Sequence, residues 1–292
     1  MNSKQQQMIE LMEAICPKEN VITNWVDGLT IFRADNPFPR TPVTYDPSII
    51  ILAQGKKNIY FGEDIYFYDA ENYLVLSVPL PLECEVVSKP GKPILGFAIN
   101  IDPIIVGELL QDLDEIHKKE EQLHKGIFGA KMTEPLYDSA IRLLQSLQSE
   151  QDRRILGPML EREIIYKVLI GESGEALQAL AHNNQRFYQI TRILNKIHKA
   201  YNETHNVQTL AREAGMSMST FHNSFKTVTN SSPLQYIKNI RLNKARVLMT
   251  QDGLNAHNAA FEVGYESASQ FNREYKRYFG ITPAKDAISM QS

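Results

Sequence analysis

Residues 214–226 read AGMSMSTFHNSFK, and residues 263–275 read VGYESASQFNREY. Both segments carry a glycine, then a serine, then two aromatic residues four positions apart. Downstream, 225–233 (FKTVTNSSP) matches 275–283 (YKRYFGITP) at an offset of 50, and upstream Ala211 matches Ala260 at an offset of 49. Internal similarity of this kind indicates two copies of one supersecondary unit.

Each copy contains the parts of a helix-turn-helix unit. A short helix is predicted at Val207–Ala214 in copy one and at Ala256–Val263 in copy two, with an alanine where a second helix can cross closely. The following glycine suits a left-handed turn, where a β-carbon would clash with the backbone. A serine then stands at the N-cap of the second helix. These residues are Ala211, Gly215 and Ser217 in copy one, and Ala260, Gly264 and Ser267 in copy two.

The second helix of each copy buries two aromatic residues one turn apart, which determines the face that stays exposed. The pairs are Phe221 with Phe225 and Phe271 with Tyr275. The polar side chains on the other face suit the base edges and phosphates of a DNA major groove. The predicted DNA-contacting residues are Ser217, Ser219, Thr220, His222, Asn223, Lys226, Arg241, Lys244, Ser267, Ser269, Gln270, Asn272, Arg273, Lys276 and Arg277.

The segment between the copies, Pro233–Met249, reads as one long helix that opens with proline. Its apolar positions allow it to pack on both units and to hold them about one DNA turn of ~34 Å apart. The alternative is a generic helical bundle with polar surfaces. Two copies in register favour the helix-turn-helix reading.

The charge distribution divides the chain in two. Residues 181–292 hold 14 Lys and Arg against 7 Asp and Glu, whereas residues 1–180 hold 17 against 27, which together give the net charge of -3. A basic module joined to an acidic one is expected where only one domain meets phosphates. We predict domains at 1–180 and 181–292, within the usual size range for 292 residues.

The region from 40 to 100 has the pattern of a β-sandwich or barrel, with short apolar runs between glycine and proline turns. The predicted strands are Ile49–Gln54, Asn58–Phe61, Ile65–Tyr68, Tyr73–Val78, Glu83–Val87 and Ile94–Ile99. A helix should precede them, ending near Pro17, and another should begin at Asp102-Pro103 and end near Leu113. Further helices follow, among them Ile155–Ile170. The apolar stripe Leu136–Leu147 is either a dimer face or a surface packed on the β-domain.

Several classes of protein do not fit the composition. No run approaches the ~20 apolar residues of a membrane span, and the N-terminus has no apolar signal core. Cys16 and Cys84 are the only cysteines, so free thiols in a reducing cytosol are expected. Residues 1–116 contain no histidine, the first being His117 and His124, so a metal site on the strands is disfavoured. No nucleophile elbow or phosphate loop is present. We predict a non-enzyme with no metal and no cofactor, in the cytoplasm.

Residues 190–288 closely resemble the DNA-binding domain of the AraC/XylS family. The motifs that carry the resemblance are AGMSMSTFHNSFK, SSPLQYIKNIRLNKARVLM and AAFEVGYESASQFNREYKRYFGITP. The resemblance implies seven helices without a wing, with helix-turn-helix motifs at about 207–228 and 255–278. It places the family's base-reading positions on Ser219, His222, Asn223, Ser269 and Arg273.

The N-terminal region, carried by TPVTYDPSIIILAQGKKNIYFGEDIYFYDAENYLVLSVPLPLECEV, resembles the N-terminal domain of one branch of AraC-type regulators. The resemblance covers roughly 20–175 and implies a cupin-like β-barrel followed by helices. The fold class is therefore α+β multidomain, and the expected function is sequence-specific transcription regulation controlled by a small-molecule effector. The expected partners are double-stranded DNA, an unidentified effector, a second copy of the chain and RNA polymerase, and the expected location is the bacterial cytoplasm, in association with the nucleoid.

If an effector enters the barrel, aromatic side chains are candidates to line its pocket. The effector candidates are Tyr45, Tyr60, Tyr66, Tyr68, Tyr73 and Cys84, with Phe61 and Phe67 beside them. Acidic neighbours raise the pKa of the Cys84 thiol, which favours a core residue over a redox sensor. Lys56 and Lys57 read as a solvated turn. Two other hypotheses remain: an enzyme targeted to DNA by its C-terminal module, and an architectural protein without effector control.

Overall fold

The computed structural model describes residues 3–23, 25–87, 91–113, 123–172, 174–181 and 185–289, so His117 lies outside the described residues. Ten strands build the N-terminal part. They are β1 (Asn20–Ile22), β2 (Leu29–Ala34), β3 (Phe38–Tyr45), β4 (Ser48–Gln54), β5 (Lys56–Phe61), β6 (Asp64–Asp69), β7 (Asn72–Leu76), β8 (Leu80–Val87), β9 (Ile94–Asn100) and β10 (Ile127–Lys131).

The strands form two antiparallel sheets. One has the order β1-β2-β9-β4-β7-β10 and the other β3-β8-β5-β6. Among the described residues no hydrogen-bonded ladder joins one sheet to the other. The predicted β-rich domain is confirmed, but the expected barrel is not closed: the sheets face each other as a sandwich around a shared apolar core.

All six strands predicted from the sequence are present, and four others were missed. β3 is an edge strand that contains Pro39 and Pro42, and proline within a run argues against a strand. β1 and β10 are short edge strands, and β2 lies before the region that the β-pattern marked. Edge strands gain their order from a neighbour, so their own sequence pattern is weak.

Six helices accompany the sandwich: α1 (Ser3–Ile15), α2 (Pro103–Gln111), α3 (Glu134–Ser146), α4 (Glu150–Ile155), α5 (Gly157–Leu169) and α6 (Glu175–Ala181). The predicted start of α2 is confirmed, because Asp102 Oδ1 accepts a hydrogen bond from the Ile104 amide at 2.8 Å. The predicted helix Ile155–Ile170 is present as the end of α4 followed by α5. The stripe Leu136–Leu147 is buried against the helices α1 and α5 rather than on the strands, so it is neither an exposed dimer face nor the surface packed on the β-domain that was expected.

Seven helices follow, as the family resemblance implied: α7 (Gln185–Lys199), α8 (Val207–Glu213), α9 (Met218–Thr229), α10 (Pro233–Thr250), α11 (Ala256–Glu262), α12 (Ala268–Phe279) and α13 (Pro283–Ser289). The long helix α10 joins two cores. Its first half places Ile237 and Ile240 in the core shared with the sandwich, and its second half places Leu242, Ala245 and Met249 in a separate core with α11 and α12.

Candidate nucleic-acid interface and ligand cavity

The two turns of the repeat have the same backbone. Gly215 has φ of 65° and Gly264 has φ of 83°, both in the left-handed region. The residue after each glycine donates its amide to the buried alanine of the preceding helix, over 3.0 Å to Ala211 and 2.9 Å to Ala260. Repeated geometry confirms that the two segments are one unit used twice.

The aromatic pairs repeat as closely. The rings of Phe221 and Phe225 lie 5.6 Å apart at 54°, and those of Phe271 and Tyr275 lie 5.4 Å apart at 55°. All four side chains are fully buried. Each pair therefore holds its helix, α9 or α12, with the opposite face directed outward.

Both outward helices end in a left-handed cap. The Asn230 amide donates to the Lys226 carbonyl at 2.7 Å, and the Gly280 amide donates to the Lys276 carbonyl at 2.9 Å. The next helix begins with proline in each case, Pro233 or Pro283. Because the turn, the aromatic pair and the cap all repeat, α9 and α12 have the same length, 12 residues each, and expose equivalent faces.

Twelve of the fifteen predicted DNA-contacting residues are exposed in the structure. They are Ser217, Ser219, His222, Asn223, Lys226, Ser267, Ser269, Gln270, Asn272, Arg273, Lys276 and Arg277. Two of them also cap a helix, since the hydroxyls of Ser217 and Ser267 accept amide hydrogen bonds from Thr220 and Gln270. Thr220 is half-buried.

Arg241 and Lys244 lie elsewhere. The Arg241 guanidinium donates to the carbonyls of Tyr201 (2.7 Å), Gly264 (3.0 Å) and Glu203 (2.8 Å), so it fastens the loop after α7 to the second turn. The Lys244 ammonium lies over the Tyr201 ring and lines a cavity between α10 and β3. Neither side chain belongs to the exposed faces of α9 and α12.

A cavity of about 510 Å³ opens between the two sheets. Two of the predicted effector residues line it, Tyr45 and Tyr68, together with Phe32, Thr44 and Lys57. Burial raises the pKa of both tyrosines well above the ordinary value. The structure therefore brings together part of the predicted aromatic lining and adds a cation to it.

The other effector candidates do not line this cavity. Tyr60 donates its hydroxyl to Glu85 at 2.7 Å on the outer face of β5, and Tyr66 packs edge-on against Phe61. Tyr73 is buried, and burial raises its pKa to about 12. Phe67 is exposed. Cys84 is a buried free thiol, as expected for a core residue, but the main cause of its raised pKa is burial rather than its acidic neighbours, of which Glu85 adds a smaller contribution.

The reading of Lys57 as part of a solvated turn is wrong. Lys57 lies on β5 opposite Tyr68 of β6, and directly opposed side chains in an antiparallel pair share a face of the sheet. Lys56, its neighbour, is exposed above the Phe67 ring. The signal was available in the sequence, because Lys57, Ile59 and Phe61 alternate with polar residues in a strand pattern.

The first helix-turn-helix unit is docked on the sandwich. The Gly126 amide donates to the Val228 carbonyl at 3.0 Å, and the Tyr236 hydroxyl donates to the Pro79 carbonyl at 2.7 Å. His198 of α7 contacts Asp46 after β3, with Nε2 and Oδ1 3.0 Å apart. The faces of α9 and α12 that carry the predicted DNA contacts stay exposed in this arrangement.

Comparison with known proteins identifies the family to which this chain belongs. The profile of the AraC-type transcriptional regulator N-terminus matches residues 25–176, and that of a helix-turn-helix domain matches residues 210–286. The chain belongs to the AraC-type transcriptional regulators. It is a DNA-binding regulator of transcription, in agreement with the function expected from the repeat.

Relatives of this AraC-type regulator include the virulence regulon activator VirF of Yersinia enterocolitica, 28% identical over 251 residues that span 82% of this chain and 89% of VirF. The regulator ExsA of Pseudomonas aeruginosa is 25% identical over 173 residues, 59% of this chain and 61% of ExsA. The match to ExsA thus covers less than two thirds of that protein.

Two solved structures of ToxT from Vibrio cholerae have the same fold. The apo form of a ToxT point variant gives a TM-score of 0.61 at 12% identity and covers 94% of this chain and 100% of that one. A form bound to an unsaturated fatty acid gives 0.57 at 13% identity, covering 89% and 94%. Identities this low show the fold alone.

Two features are absent from the described residues. No helix there is long and apolar enough to span a bilayer. No group of three or more His, Cys, Asp or Glu side chains within the same ranges could hold a metal ion.

Proposed function

We propose that this AraC-type regulator reads a two-part DNA site with α9 and α12, under the control of a small molecule that binds between its two sheets. The observation that carries the proposal is the repeated exposed face, held in register by buried aromatic pairs. In this proposal the DNA-binding domain is 181–292 and the sensing domain is 1–180.

The two faces take different parts of the contact. On α12 the exposed Arg273 and Asn272 supply base contacts, and Lys276 and Arg277 supply phosphate contacts that weaken with salt. On α9 the base-reading side chains are Ser219, His222 and Asn223, with Lys226 on phosphate. The second unit therefore supplies more of the salt-dependent affinity, and Arg241 and Lys244 supply none of it.

Replacement of Arg273 by Ala tests the DNA assignment. Loss of a bidentate base contact should cost about 1–3 kcal/mol at the specific site and relax base preference there. Lys276→Ala should instead weaken binding to all sequences and reduce the salt slope by about 1. Binding sites would be selected from a random duplex library, and affinities measured by band shift across a salt series.

The matched control is Arg154→Ala, which removes an equally exposed arginine from α4. Its affinity and salt slope should equal those of the wild type. An Arg273→Ala protein with unchanged affinity and unchanged base preference would contradict the assignment of α12 as a reading helix.

Effector control is supported by the position of the cavity. Thr44 and Asp46 line both the cavity between the sheets and a second one, of about 300 Å³, between β3 and α10. A ligand that moves the end of β3 therefore acts on the contact between Asp46 and His198 of α7. ToxT, which shares the fold, has been crystallised with a fatty acid. Ligand binding should shift both the melting temperature and the DNA affinity of the protein. If no ligand changes either quantity, the protein is an architectural DNA-binding protein without effector control.

We further propose that the chain acts by binding rather than catalysis, on nucleoid DNA in the bacterial cytoplasm, with RNA polymerase as a partner at the promoter. A homodimer would add affinity by occupying two DNA sites. Because the Leu136–Leu147 stripe is already buried, such a dimer uses another surface. Sedimentation of the full chain with and without a duplex carrying two sites measures this directly.

A further inference from the structure

Inside the cavity a lysine lacks a counter-charge. The Lys57 ammonium lies 4.1 Å from the centre of the Phe32 ring, and both side chains line the cavity. Burial lowers the pKa of Lys57, and no carboxylate of the described residues forms an ion pair with it. A cation–π contact offsets only part of the cost of removing an ammonium from water. The site therefore favours an added negative charge.

Two hydroxyls beside this lysine are also without partners. Tyr68 is fully buried, and neither its hydroxyl oxygen nor the Thr44 hydroxyl oxygen forms a hydrogen bond within the described chain. Both residues line the cavity, and Tyr68 stands opposite Lys57 in the ladder. Bound water could satisfy the hydroxyls, but it would not neutralise the ammonium. A carboxylate does both, since its two oxygens accept several hydrogen bonds.

The remaining charges of the cavity limit the ligand to one negative charge. Glu19 and Asp46 are exposed at its rim and would repel a second anionic group. Arg33 is held by Asp35 at 2.6 Å. Among the described lining residues this leaves Lys57 as the cation without an acidic partner.

We propose that this cavity binds a monoanionic organic acid, whose carboxylate accepts hydrogen bonds from Lys57 and Tyr68 and whose apolar body lies against Phe32 and Ile50. The volume of about 510 Å³ fits a small molecule of this kind. This inference rests on the proposed effector role of the same cavity, and it names the chemical class of the effector. An aliphatic or an aromatic acid has the required chemistry.

Calorimetric titration of the full chain, without DNA, tests the charge requirement. The probes are octanoate with 1-octanol, and 4-phenylbutyrate with 4-phenylbutan-1-ol, so that each acid has a neutral partner of similar size. At least one acid should bind about 10-fold or more tightly than its alcohol, as charge-assisted hydrogen bonds require. The acid that binds more tightly shows whether the effector is aliphatic or aromatic. Equal affinity of both acids and their alcohols, or no binding by either acid at millimolar concentration, overturns the proposal.

Lys57→Met tests the residue assignment, with Lys56→Met as its matched control on the outer face of the same strand. Lys57→Met should weaken acid binding about 10-fold or more, leave alcohol binding unchanged and not lower the melting temperature of the unliganded protein. Lys56→Met should bind as the wild type does. Equal losses in both variants overturn the assignment. If Lys57→Met fails to fold, Tyr68→Phe replaces it, with a smaller loss confined to the acids.

The outcome separates this proposal from the proposed function. Acids that bind without changing DNA affinity leave the site intact and remove its regulatory role. Specific DNA binding with no acid binding leaves the DNA function intact and removes the site.

Discussion

Gly215 and Gly264 hold equivalent places in the two turns, yet their surroundings differ. A β-carbon on Gly215 would meet no atom within 4 Å, whereas one on Gly264 would lie 2.2 Å from the Asn202 carbonyl oxygen. The loop around Asn202 cannot easily retreat, because Arg241 donates to the carbonyls on both sides of it, those of Tyr201 and Glu203.

Alanine at each glycine should therefore have unequal effects. Gly215→Ala introduces only the strain of a left-handed backbone, about 1–2 kcal/mol. Gly264→Ala adds a steric clash with a fixed backbone and should cost about 3 kcal/mol or more. Urea unfolding of the two variants is the measurement, and each serves as the control for the other. Equal losses would mean that the Asn202 loop moves freely.

Glu161 is a buried carboxyl whose environment makes stability depend on pH. Its side chain is 9% exposed, and its Oε1 atom has no hydrogen-bond partner among the described residues. Burial, with a smaller contribution from the Asp27 charge, raises its pKa from 4.5 to about 7. The folded state thus keeps the proton longer than the unfolded state, so stability falls as pH rises from about 4.5 to about 7 and stays low above it.

Glu161→Gln should remove this loss of stability at higher pH, because the amide does not ionise. At pH 8 the variant should be more stable than the wild type, by up to about 3 kcal/mol, and at pH 5 the difference should nearly vanish. Thermal melts at the two pH values measure it. Glu63→Gln, in the exposed turn between β5 and β6, should leave the difference between pH 5 and pH 8 unchanged. A Glu161→Gln gain of the same size at both pH values would contradict the ionisation argument.

At the scale of elements, α13 locks the second helix-turn-helix unit. Asp286 is 2% exposed and accepts hydrogen bonds from the Tyr275 hydroxyl at 2.6 Å and from Arg246 Nη2 at 3.1 Å. This carboxylate therefore joins three helices, α10, α12 and α13, behind the face that is proposed to read DNA.

Asp286→Ala should destabilise the chain by about 2–4 kcal/mol, because it leaves the Arg246 charge and the Tyr275 hydroxyl buried without this acceptor. Denaturant unfolding gives the loss in stability, and band shift should show weaker specific DNA binding. Asp252→Ala, in the exposed turn after α10, is the control and should change neither. An Asp286→Ala protein as stable as the control would mean that α13 is not needed to hold α12.

At the scale of the whole molecule, the two copies of the repeat are fastened differently. At the offset of 50, Tyr236 corresponds to Asp286. The Asp286 carboxylate binds within its own unit, whereas the Tyr236 hydroxyl reaches the Pro79 carbonyl of the sandwich. Copy one thus shares its core with the sandwich, and copy two has its own.

Tyr236→Phe should loosen the docking of copy one. It leaves the Pro79 carbonyl without this donor, at a cost of about 1–2 kcal/mol. The Gly126 amide, which donates to Val228 across the same contact, should then exchange with deuterium roughly 5–30-fold faster. Hydrogen exchange of the segment around Gly126 is the readout. Tyr188→Phe, which changes an exposed ring on α7, is the control, and its Gly126 segment should exchange at the wild-type rate. Equal exchange rates of this segment in the two variants would contradict the docking role of Tyr236.

The sequence by itself determined the features that rest on local spacing. The double helix-turn-helix and six of the ten described strands follow from apolar periodicities of 3.6 and 2. The glycine turns and the Asp102 N-cap follow from backbone conformations that few residue types favour. These signals lie within one or two elements, so no distant contact is needed to read them.

Only the tertiary structure decided which side chains those elements bring together. It placed Lys57 inside the cavity, turned Arg241 inward to backbone carbonyls and buried the Leu136–Leu147 stripe within its own domain. It also opened the expected barrel into two sheets and docked copy one on them. Each outcome depends on residues that are distant in the sequence. The periodicity of a helix or strand shows which face of that element a side chain lies on, but not which other element packs against that face.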